Sequence, residues 1–546
     1  MKNKTLSLVL AVLMALTLFA GCANDSGTSS PNAAQSPSTG IESSDPADAD
    51  GPMELIVGCA SDIGSMYPFG SATSGVKTKR VMVYETLFWL DYDGVLQPIL
   101  GKSYESLGDG KYKIEIFDNI FDSEGNHMTA ADIIFSLERY MEDGQNLASF
   151  ATLNEYYTTG DYTLELVYSP ETVGQFEAII TNVHCITEAA WNSSPDQMAA
   201  YPIGTGGYTL VSSETVAGSV YVFEKRDDYW QTDEQYICDY NKNTLSKLTC
   251  KIITDTSTLA VALETGEIDF AYDIASADLK LFTDSDGAAA NGYIMLEGTN
   301  NAFTHLLFNC GAKSACQDLK LRQAICYAID AAACAYSAYG VFGTVCDGAY
   351  NPGLSDADSS MGNSDYYTYN IEKAKELVAE SSYNGETIKI LVQPIKTVSD
   401  SAPLISQYLA EIGVKVELLE PDMALYRTTR TDETGEVYDI ELYGAAGAGD
   451  VYVYSSLKEL DSKNYGSGVS HIFAADDKLQ ELYEAASSVD THSAKSVKAL
   501  LDYINENCYV YGMYYSPKLF FGSDAISYAT TAIYLDAVFT AFEINK

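Results

Sequence analysis

Hydrophobic positions along this chain alternate between a period of two and a period of about 3.6, which predicts strands and helices in turn. Residues 251–253 are typical of a strand, and Thr256 to Thr265 has the apolar spacing of a helix. Gly266 follows as a stop signal, and Ile268 to Tyr272 predicts the next strand. This stretch therefore predicts one β-α-β unit.

The same plan recurs further along the chain. Thr387 to Val392 predicts a strand, Gly413 predicts the end of a helix, and Val414 to Leu419 predicts a second strand. The helix between the strands is predicted from one apolar stripe, formed by Leu404, Ile405, Tyr408, Leu409 and Ile412. Two β-α-β units this far apart predict an α/β protein with at least two lobes.

Two further helices are predicted from the residues that begin them. Thr129 precedes an apolar stripe and has Asp132 three positions on, the spacing of a capping box. Asp318 precedes a second stripe and predicts an N-cap. Both patterns indicate core-forming helices and carry no chemistry of their own.

The first 52 residues differ from the rest of the chain. Lys2 and Lys4 precede an apolar stretch from Thr5 to Ala20, which predicts a signal peptide over residues 1–21. The end of that stretch resembles the lipobox of bacterial lipoproteins, so Cys22 is expected to carry a lipid. The alternative is an ordinary signal peptide with a chance cysteine. Residues 22–52 are rich in Ser, Pro, Gly, Asn and Asp, which predicts a disordered linker.

The length and charge of the chain limit the number of domains and the classes of binding partner that can be expected. About 500 residues remain beyond the linker, enough for two or three domains. The chain has 32 basic and 76 acidic residues and a formal net charge of −44, which argues against a nucleic-acid partner. The same charge is repelled by anionic lipid headgroups, so the lipid on Cys22 would have to hold the protein at the membrane.

The cysteines and histidines indicate no metal site. Eleven cysteines less Cys22 leave ten, an even number that permits disulfides in an exported protein. Buried free thiols are the alternative, and the sequence leaves both open. The five histidines are scattered and no zinc-binding spacing is present, so no metal and no cofactor are predicted.

Other function classes have weaker support. A secreted hydrolase would need paired carboxylates, and no specific pair stands out among so many acids. No Gly-x-Ser-x-Gly elbow occurs, and no histidine is placed beside a nucleophile. An adhesive or structural surface protein would favour internal repeats, and none is found. We therefore predict that the chain is not an enzyme, with a secreted hydrolase as the remaining alternative.

A series of short motifs, in order, resembles the family 5 extracellular solute-binding proteins of ABC importers. The motifs are Tyr84-Glu85-Thr86-Leu87, Phe121-Asp122, Thr129 to Asp132, the turn Pro202 to Tyr208, Asp228-Tyr229-Trp230, Leu263 to Asp269, Phe308-Asn309, Leu321 to Ala324 with Tyr327 to Asp330, Glu411 to Val414, and Tyr438-Asp439-Ile440. Each match is weak alone, and together they span most of the chain. Gly207 departs from the pattern, which has proline there.

The resemblance implies a two-lobed, periplasmic-binding-protein-like α/β fold of type II, from the large cluster with an extra subdomain. Lobe I is expected over residues 53–92, 200–300 and 505–546. The inserted subdomain is expected over 93–199, and lobe II over 301–504. The lobes would be joined by a hinge and would enclose a ligand in the cleft between them.

The resemblance also implies a receptor that captures an extracellular oligopeptide or a similar small polar solute and delivers it to ABC permease subunits. A nickel complex, haem or a sugar stays open as the solute. Asp450 lies where peptide binders of the family hold the ligand's amine, and Tyr67 and Phe69 lie in the expected ligand-facing loop. For these three residues the alternatives are a solvated or capping acid and packing within the lobe. The protein is expected to be a monomer, lipid-anchored on the extracytoplasmic face of the cell membrane.

Overall fold

A computed structural model describes residues 53–69, 74–91, 94–143, 150, 152–272, 274–298, 302–363, 366–446, 452–465, 472–532 and 537–545. All of them belong to the second of two units into which the chain divides, residues 41–546. The predicted signal peptide, Cys22 and the predicted linker lie outside the described residues.

The described residues form strands and helices throughout. The strands are β1 Glu54–Cys59, β2 Phe88–Leu90, β3 Leu96–Pro98, β4 Gly101–Gly108, β5 Lys111–Ile116, β6 Leu153–Gly160, β7 Thr163–Tyr168, β8 Tyr208–Leu210, β9 Val220–Lys225, β10 Lys247–Ile252, β11 Phe270–Ala271, β12 Tyr293–Gly298, β13 Ala302–Phe308, β14 Thr344–Val345, β15 Thr387–Val392, β16 Lys415–Leu419, β17 Ile440–Ala446, β18 Val510–Tyr515, β19 Lys518–Ser523, β20 Ile526–Tyr528 and β21 Glu543–Ile544. The α-helices are α1 Ser74–Arg80, α2 Ala130–Glu142, α3 Gln175–Asn182, α4 Glu188–Ser193, α5 Thr256–Glu264, α6 Leu319–Ala328, α7 Ala331–Tyr339, α8 Ile371–Glu380, α9 Lys396–Ser399, α10 Ala402–Glu411, α11 Met423–Thr429, α12 Asp477–Ser487 and α13 Ala494–Asn507.

The first lobe is built on a seven-stranded sheet with the order β12-β19-β11-β1-β10-β9-β8. Strand β1 lies between β10 and β11 and runs parallel to both. Helix α5 joins β10 to β11, so the predicted β-α-β unit is confirmed. Strand β11 is shorter than predicted, although the amides of Asp269 and Tyr272 at its two ends still donate to carbonyl oxygens of β1.

The second lobe is built on a six-stranded sheet with the order β14-β18-β13-β17-β15-β16. Strands β15 and β16 are parallel neighbours joined through α10, which confirms the second predicted β-α-β unit. Strand β18 pairs with β13 in this sheet. The predicted return to lobe I at residue 505 is therefore wrong, because the chain rejoins the first sheet only at β19.

The inserted subdomain has a four-stranded antiparallel sheet with the order β4-β5-β7-β6. Helices α2 and α3 contribute buried apolar side chains to one cluster with this sheet. Among these are Ile133 and Ile179, neither of which has exposed surface. The other limits predicted for the lobes and the subdomain stay predictions.

The local signals that predicted helix ends are present as hydrogen bonds and backbone angles. The backbone N–H of Thr129 donates to Asp132 Oδ2 at 2.7 Å at the start of α2. Asp318 Oδ1 accepts from the amides of Lys320 and Leu321 at 2.8 and 3.2 Å. Gly266 and Gly413, beyond the ends of α5 and α10, have φ of 72° and 81°. A side chain at either position would be strained, so glycine ends each helix there.

The ten cysteines beyond Cys22 are free thiols, and eight of them are buried. Cys326 Sγ and Cys508 Sγ are 2.8 Å apart. Burial raises the pKa of most of these thiols, so they behave as small apolar side chains rather than nucleophiles.

Within the described ranges, no single helix is both long and apolar enough to span a membrane. One bent pair, Leu319–Ala328 with Ala331–Phe342, has the required length and composition when taken together, with an angle of 56° at the break.

Candidate functional site

Two adjacent connections join the first lobe to the second. Strand β12 leads into β13, and β18 leads into β19 through Ser516 and Pro517. On the first-lobe side, Gly298 pairs with Lys518, and on the second-lobe side Phe303 pairs with Tyr515. Because both crossings lie side by side, they form a hinge, and the surfaces that face each other beyond it form an interlobe cleft.

The two lobes also touch away from the hinge. The backbone N–H of Val173, in the inserted subdomain, donates to the carbonyl oxygen of Ser487 at 2.9 Å, and the Tyr454 hydroxyl donates to the Val173 carbonyl. Ser276 Oγ of the first lobe donates to the Ala338 carbonyl of the second at 2.9 Å. The two lobes are therefore held together at two places besides the hinge.

Gly174 shows how tightly the subdomain contact is packed. Its φ is 81°, and a Cβ atom added there would lie 2.5 Å from the ring of Tyr452 in the second lobe. Any side chain at this position would push the two surfaces apart.

The predicted ligand-facing loop packs within the first lobe. The Tyr67 hydroxyl donates to Asp143 Oδ1 at 3.2 Å, and its ring lies 6.0 Å from that of Trp191. Burial, together with Asp143, raises the pKa of Tyr67 to about 12. Phe69 has no exposed surface, and its ring lies 5.8 Å from Trp191. Ligand contact by Tyr67 and Phe69 stays a prediction.

The segment that holds Asp450 lies outside the described residues, but the strand that leads to it is described. That strand is β17, which runs from Ile440 to Ala446. The amide of Gly444 donates to Gln393 Oε1 at 2.9 Å, which ties the end of β17 to the loop after β15.

A buried ion pair joins β17 to the end of α11. Glu441 has no exposed surface, and its Oε1 lies 3.1 Å from Arg430 Nε. The Tyr426 hydroxyl donates to the same carboxylate. The Arg430 guanidinium also lies over the Tyr443 ring, 4.6 Å from its centroid. Our sequence interpretation missed this group, although an acid between apolar Ile440 and Leu442 in a strand could have indicated it.

The Tyr-Glu and Asp-Tyr-Trp motifs meet in the first lobe. Glu85 is 1 % exposed and accepts hydrogen bonds from the Tyr229 hydroxyl at 2.6 Å and from Trp230 Nε1 at 3.0 Å. Burial raises the pKa of the Glu85 carboxyl to about 7, although these donors oppose the shift. The two motifs therefore form one packing unit.

The glycine-rich turn is held by a buried arginine. Arg226 Nη1 donates to the carbonyl oxygens of Gly204 and Gly206, and Nη2 donates to that of Asp122 at 3.0 Å. Gly207 takes the place of the family's proline, and a Cβ there would meet the side chain of Asn243 at 2.2 Å. A proline or any other side chain at this departure from the motif would force the Asn243 side chain to move.

The charged residues of the second-lobe motifs also form hydrogen bonds within their own lobe. Arg322 donates to the carbonyl oxygens of Cys316 and Asn507, both at 2.7 Å, and so caps the end of α13. Asp439 accepts from Ser314 Oγ and from the Lys389 amide. The motifs that predicted the family therefore hold together the interiors of the two lobes.

Histidines and other potential metal ligands occur throughout the part of the chain that the structure describes. No three His, Cys, Asp or Glu side chains there converge in a way that could hold a metal ion. The described histidines, such as His184 and His305, bond to backbone carbonyls of neighbouring loops and strands.

Comparison with known proteins identifies the relatives of this chain. The sequence profile described as "Bacterial extracellular solute-binding proteins, family 5 Middle" matches residues 95–464. A glutathione-binding protein, GsiB, from Pectobacterium atrosepticum is 25 % identical over 388 residues, covering 68 % of this chain and 69 % of that protein.

Solved structures with the same fold cover nearly all of the chain. NikA from Brucella suis, in complex with Fe(III)-EDTA, has a TM-score of 0.77 at 18 % identity and covers 90 % of this chain and 100 % of its own. The oligopeptide-binding protein AppA from Bacillus subtilis, in complex with a nonapeptide, has a TM-score of 0.69 at 17 % identity, with 91 % and 100 % covered. Both have the two-lobed α/β architecture found in this chain.

Proposed function

Because this chain belongs to the family 5 bacterial extracellular solute-binding proteins, we propose that it captures an extracellular oligopeptide and delivers it to the permease subunits of an ABC importer. The observation that carries the proposal is the pair of sheets joined by two adjacent crossings, which creates a cleft that a hinge can open and close. The protein acts as a receptor and performs no catalysis.

Peptides are favoured as the solute for two reasons. Relatives named for glutathione and for an oligopeptide share the sequence family or the fold. An extended peptide backbone can also bond to strand edges and loop amides regardless of its side chains. A non-peptide solute is the alternative, supported by the metal chelate bound to NikA from Brucella suis.

We propose Asp450 as the carboxylate that receives the peptide's amine, because β17 ends four residues before it and because it lies where, by resemblance, peptide binders of the family hold that amine. Replacing Asp450 with alanine is expected to weaken binding of trialanine at least tenfold, about 1.4 kcal/mol, because a desolvated ammonium group loses its counter-charge. Acetylating the amine of trialanine is expected to weaken wild-type binding by a similar factor.

Isothermal titration calorimetry of both proteins with both peptides forms a double-mutant cycle that tests the pairing. Asp490, an exposed acid in the second lobe, provides the matched control, and Asp490→Ala should bind trialanine like the wild type. Saturable binding without release of free alanine supports a receptor, whereas hydrolysis of the peptide supports the secreted hydrolase. If the losses in binding free energy from Asp450→Ala and from acetylation are additive, Asp450 does not pair with the peptide's amine.

We further propose that the mature protein is a monomer held on the extracytoplasmic face of the cell membrane by a lipid on Cys22. Cys22→Ser is expected to abolish lipidation and to move the protein from the membrane fraction to the medium or periplasm. Fractionation with immunoblotting measures the shift, and Ser26→Ala, four residues away in the linker, is the control. Retention of the Cys22→Ser protein in washed membranes would contradict the anchor.

A further inference from the structure

Two buried cysteines of the second lobe lie close to bonding distance from each other. Cys326 belongs to α6, and Cys508 lies between α13 and β18. Their sulfur atoms are 2.8 Å apart, and neither residue has exposed surface. A disulfide bond is about 2.0 Å long, so a movement of roughly 0.8 Å would bring the two sulfur atoms to that distance.

Hydrogen bonds of the backbone hold Cys508 opposite α6. Arg322 precedes Cys326 by four residues and therefore lies on the same face of the helix. Its Nε donates to the carbonyl oxygen of Cys508 at 3.1 Å. The amide of Cys508 donates to the carbonyl oxygen of Asn505 at 3.2 Å. The position of Cys508 relative to α6 is therefore fixed by contacts that do not involve its sulfur atom.

The backbone conformation of Cys508 is unusual for a residue with a side chain. Its φ is 51°, in the left-handed region, and the residue that ends a helix in this conformation is commonly glycine. A cysteine has a conformational cost at this position that glycine would not have. A covalent bond through the sulfur atom is a contribution that glycine cannot make. Among the described residues, no third His, Cys, Asp or Glu joins the pair to hold a metal ion.

Aromatic side chains enclose the two cysteines. Tyr366, Tyr367 and Tyr511 belong with them to one buried cluster. Burial raises the pKa of the Cys326 thiol well above its usual range. Since the thiolate is the reactive form of a cysteine, a bond between these sulfur atoms has to form while the chain folds, before the cluster closes around them. Once the cluster has closed, it also shields the bond from reducing agents.

We propose that Cys326 and Cys508 form a disulfide bond as the exported chain folds. The oxidant is a disulfide donor of the oxidising compartment, such as the active-site disulfide of a thiol oxidase. The thiolate of one cysteine attacks the donor, forms a mixed disulfide and releases one donor thiolate. The thiolate of the other cysteine attacks the sulfur atom of the first and releases the second donor thiolate. The two cysteines thus lose two protons and two electrons, and the donor disulfide is reduced to two thiols.

The bond would join segments that are far apart in the chain. The two cysteines are separated by 182 positions, and closing so long a loop restricts the unfolded chain strongly. The bond would also attach α6 to the segment from which β18 begins. Because β18 leads across the hinge into β19, one of the two crossings would be covalently anchored in the second lobe.

The test is peptide mapping of wild-type protein directed to an oxidising bacterial periplasm by a leader of the host, so that it does not depend on the predicted signal peptide. The protein is purified without reductant, its free thiols are alkylated in urea, and it is digested with trypsin. We expect the peptide 499–518, which carries Cys508, to be linked to the peptide 323–373. The second peptide also contains Cys334 and Cys346, so loss of the link in Cys326→Ala assigns the bond.

A stability measurement provides a second readout. Reduction of wild-type protein is expected to raise the equilibrium constant for unfolding of the second lobe at least about tenfold, measured by hydrogen exchange of the α6, α13 and β18 amides in urea. Cys326→Ala should not respond to the reductant. Cys185→Ala, which removes a buried thiol from the inserted subdomain, is the matched control and should keep both the link and the response.

The wild-type protein alone decides the proposal if Cys326→Ala does not fold. Alkylation of both Cys326 and Cys508 without prior reduction would overturn the proposed bond. So would a link from Cys508 to Cys334 or Cys346, which digestion with chymotrypsin separates from Cys326 by cleaving at the tyrosines between them. A link between the predicted pair, together with lower stability after reduction, supports it.

Discussion

Replacing Glu441 with alanine is expected to lower the free energy of unfolding of the second lobe by about 3–5 kcal/mol, because it removes the carboxylate that forms an ion pair with a largely buried arginine. Arg430 is 13 % exposed at the side chain and Glu441 is fully buried. Water cannot replace the lost carboxylate at such a position, and the Tyr426 hydroxyl loses its acceptor as well.

Hydrogen exchange of the α11 and β17 amides across a urea series measures this loss where it arises. Glu436→Ala is the matched control, since Glu436 pairs with Lys313 at the surface and the two side chains are 66 % and 58 % exposed. The control should cost less than about 1 kcal/mol. Adding Arg430→Met to Glu441→Ala should recover part of the loss, because the buried guanidinium charge is then removed together with its ion-pair partner. A Glu441→Ala protein as stable as the control would contradict the importance of this ion pair.

The second large effect is a dependence of first-lobe stability on pH that comes from Glu85. Its folded-state pKa of about 7 lies above its ordinary value of 4.5, so between these values the folded state holds a proton that the unfolded state has released. The stability that Glu85 contributes is therefore fully present below pH 4.5 and is lost as the pH rises through 7. The difference corresponds to about 3 kcal/mol.

Glu85→Gln removes the titrating group and keeps the shape of the side chain. Relative to wild type, the variant should gain about 3 kcal/mol of stability between pH 4 and pH 8. Tryptophan fluorescence during urea unfolding is a suitable measurement, because the three tryptophans of the chain, Trp89, Trp191 and Trp230, all belong to the first lobe or its subdomain. Glu115→Gln, at a half-exposed position on β5, is the control. Parallel pH profiles for wild type and Glu85→Gln would contradict the raised pKa.

Much of the local structure could be predicted because its causes are local. The N-caps of α2 and α6 use side chains within three residues of the helix start, and the glycines beyond α5 and α10 act through their own φ angles. The two β-α-β units follow from hydrophobic spacing within single segments. The order of the short motifs predicted the family and, with it, the two-lobed architecture.

The features that could not be predicted depend on contacts between distant segments. Nothing within Val510–Tyr515 distinguishes a strand of the second sheet from one of the first, because both surroundings are apolar. The pairing of Glu441 with Arg430 depends on how α11 packs on β17, and Lys77 of α1 lies near Lys518 of β19 although the two come from opposite ends of the chain. The hydrophobic character of Phe69 predicted burial and ligand contact equally well.

The position of β19 has a consequence for the order in which the exported chain can fold. The second lobe is one continuous stretch, and its sheet is complete once β18 has emerged. The first lobe still lacks an internal strand at that point, because β19, which comes after β18, lies between β12 and β11 in its sheet. The strands of the first lobe that are translocated early therefore cannot complete their sheet before β19 is translocated. Until the end of secretion, this incomplete sheet is exposed to proteases and chaperones outside the membrane.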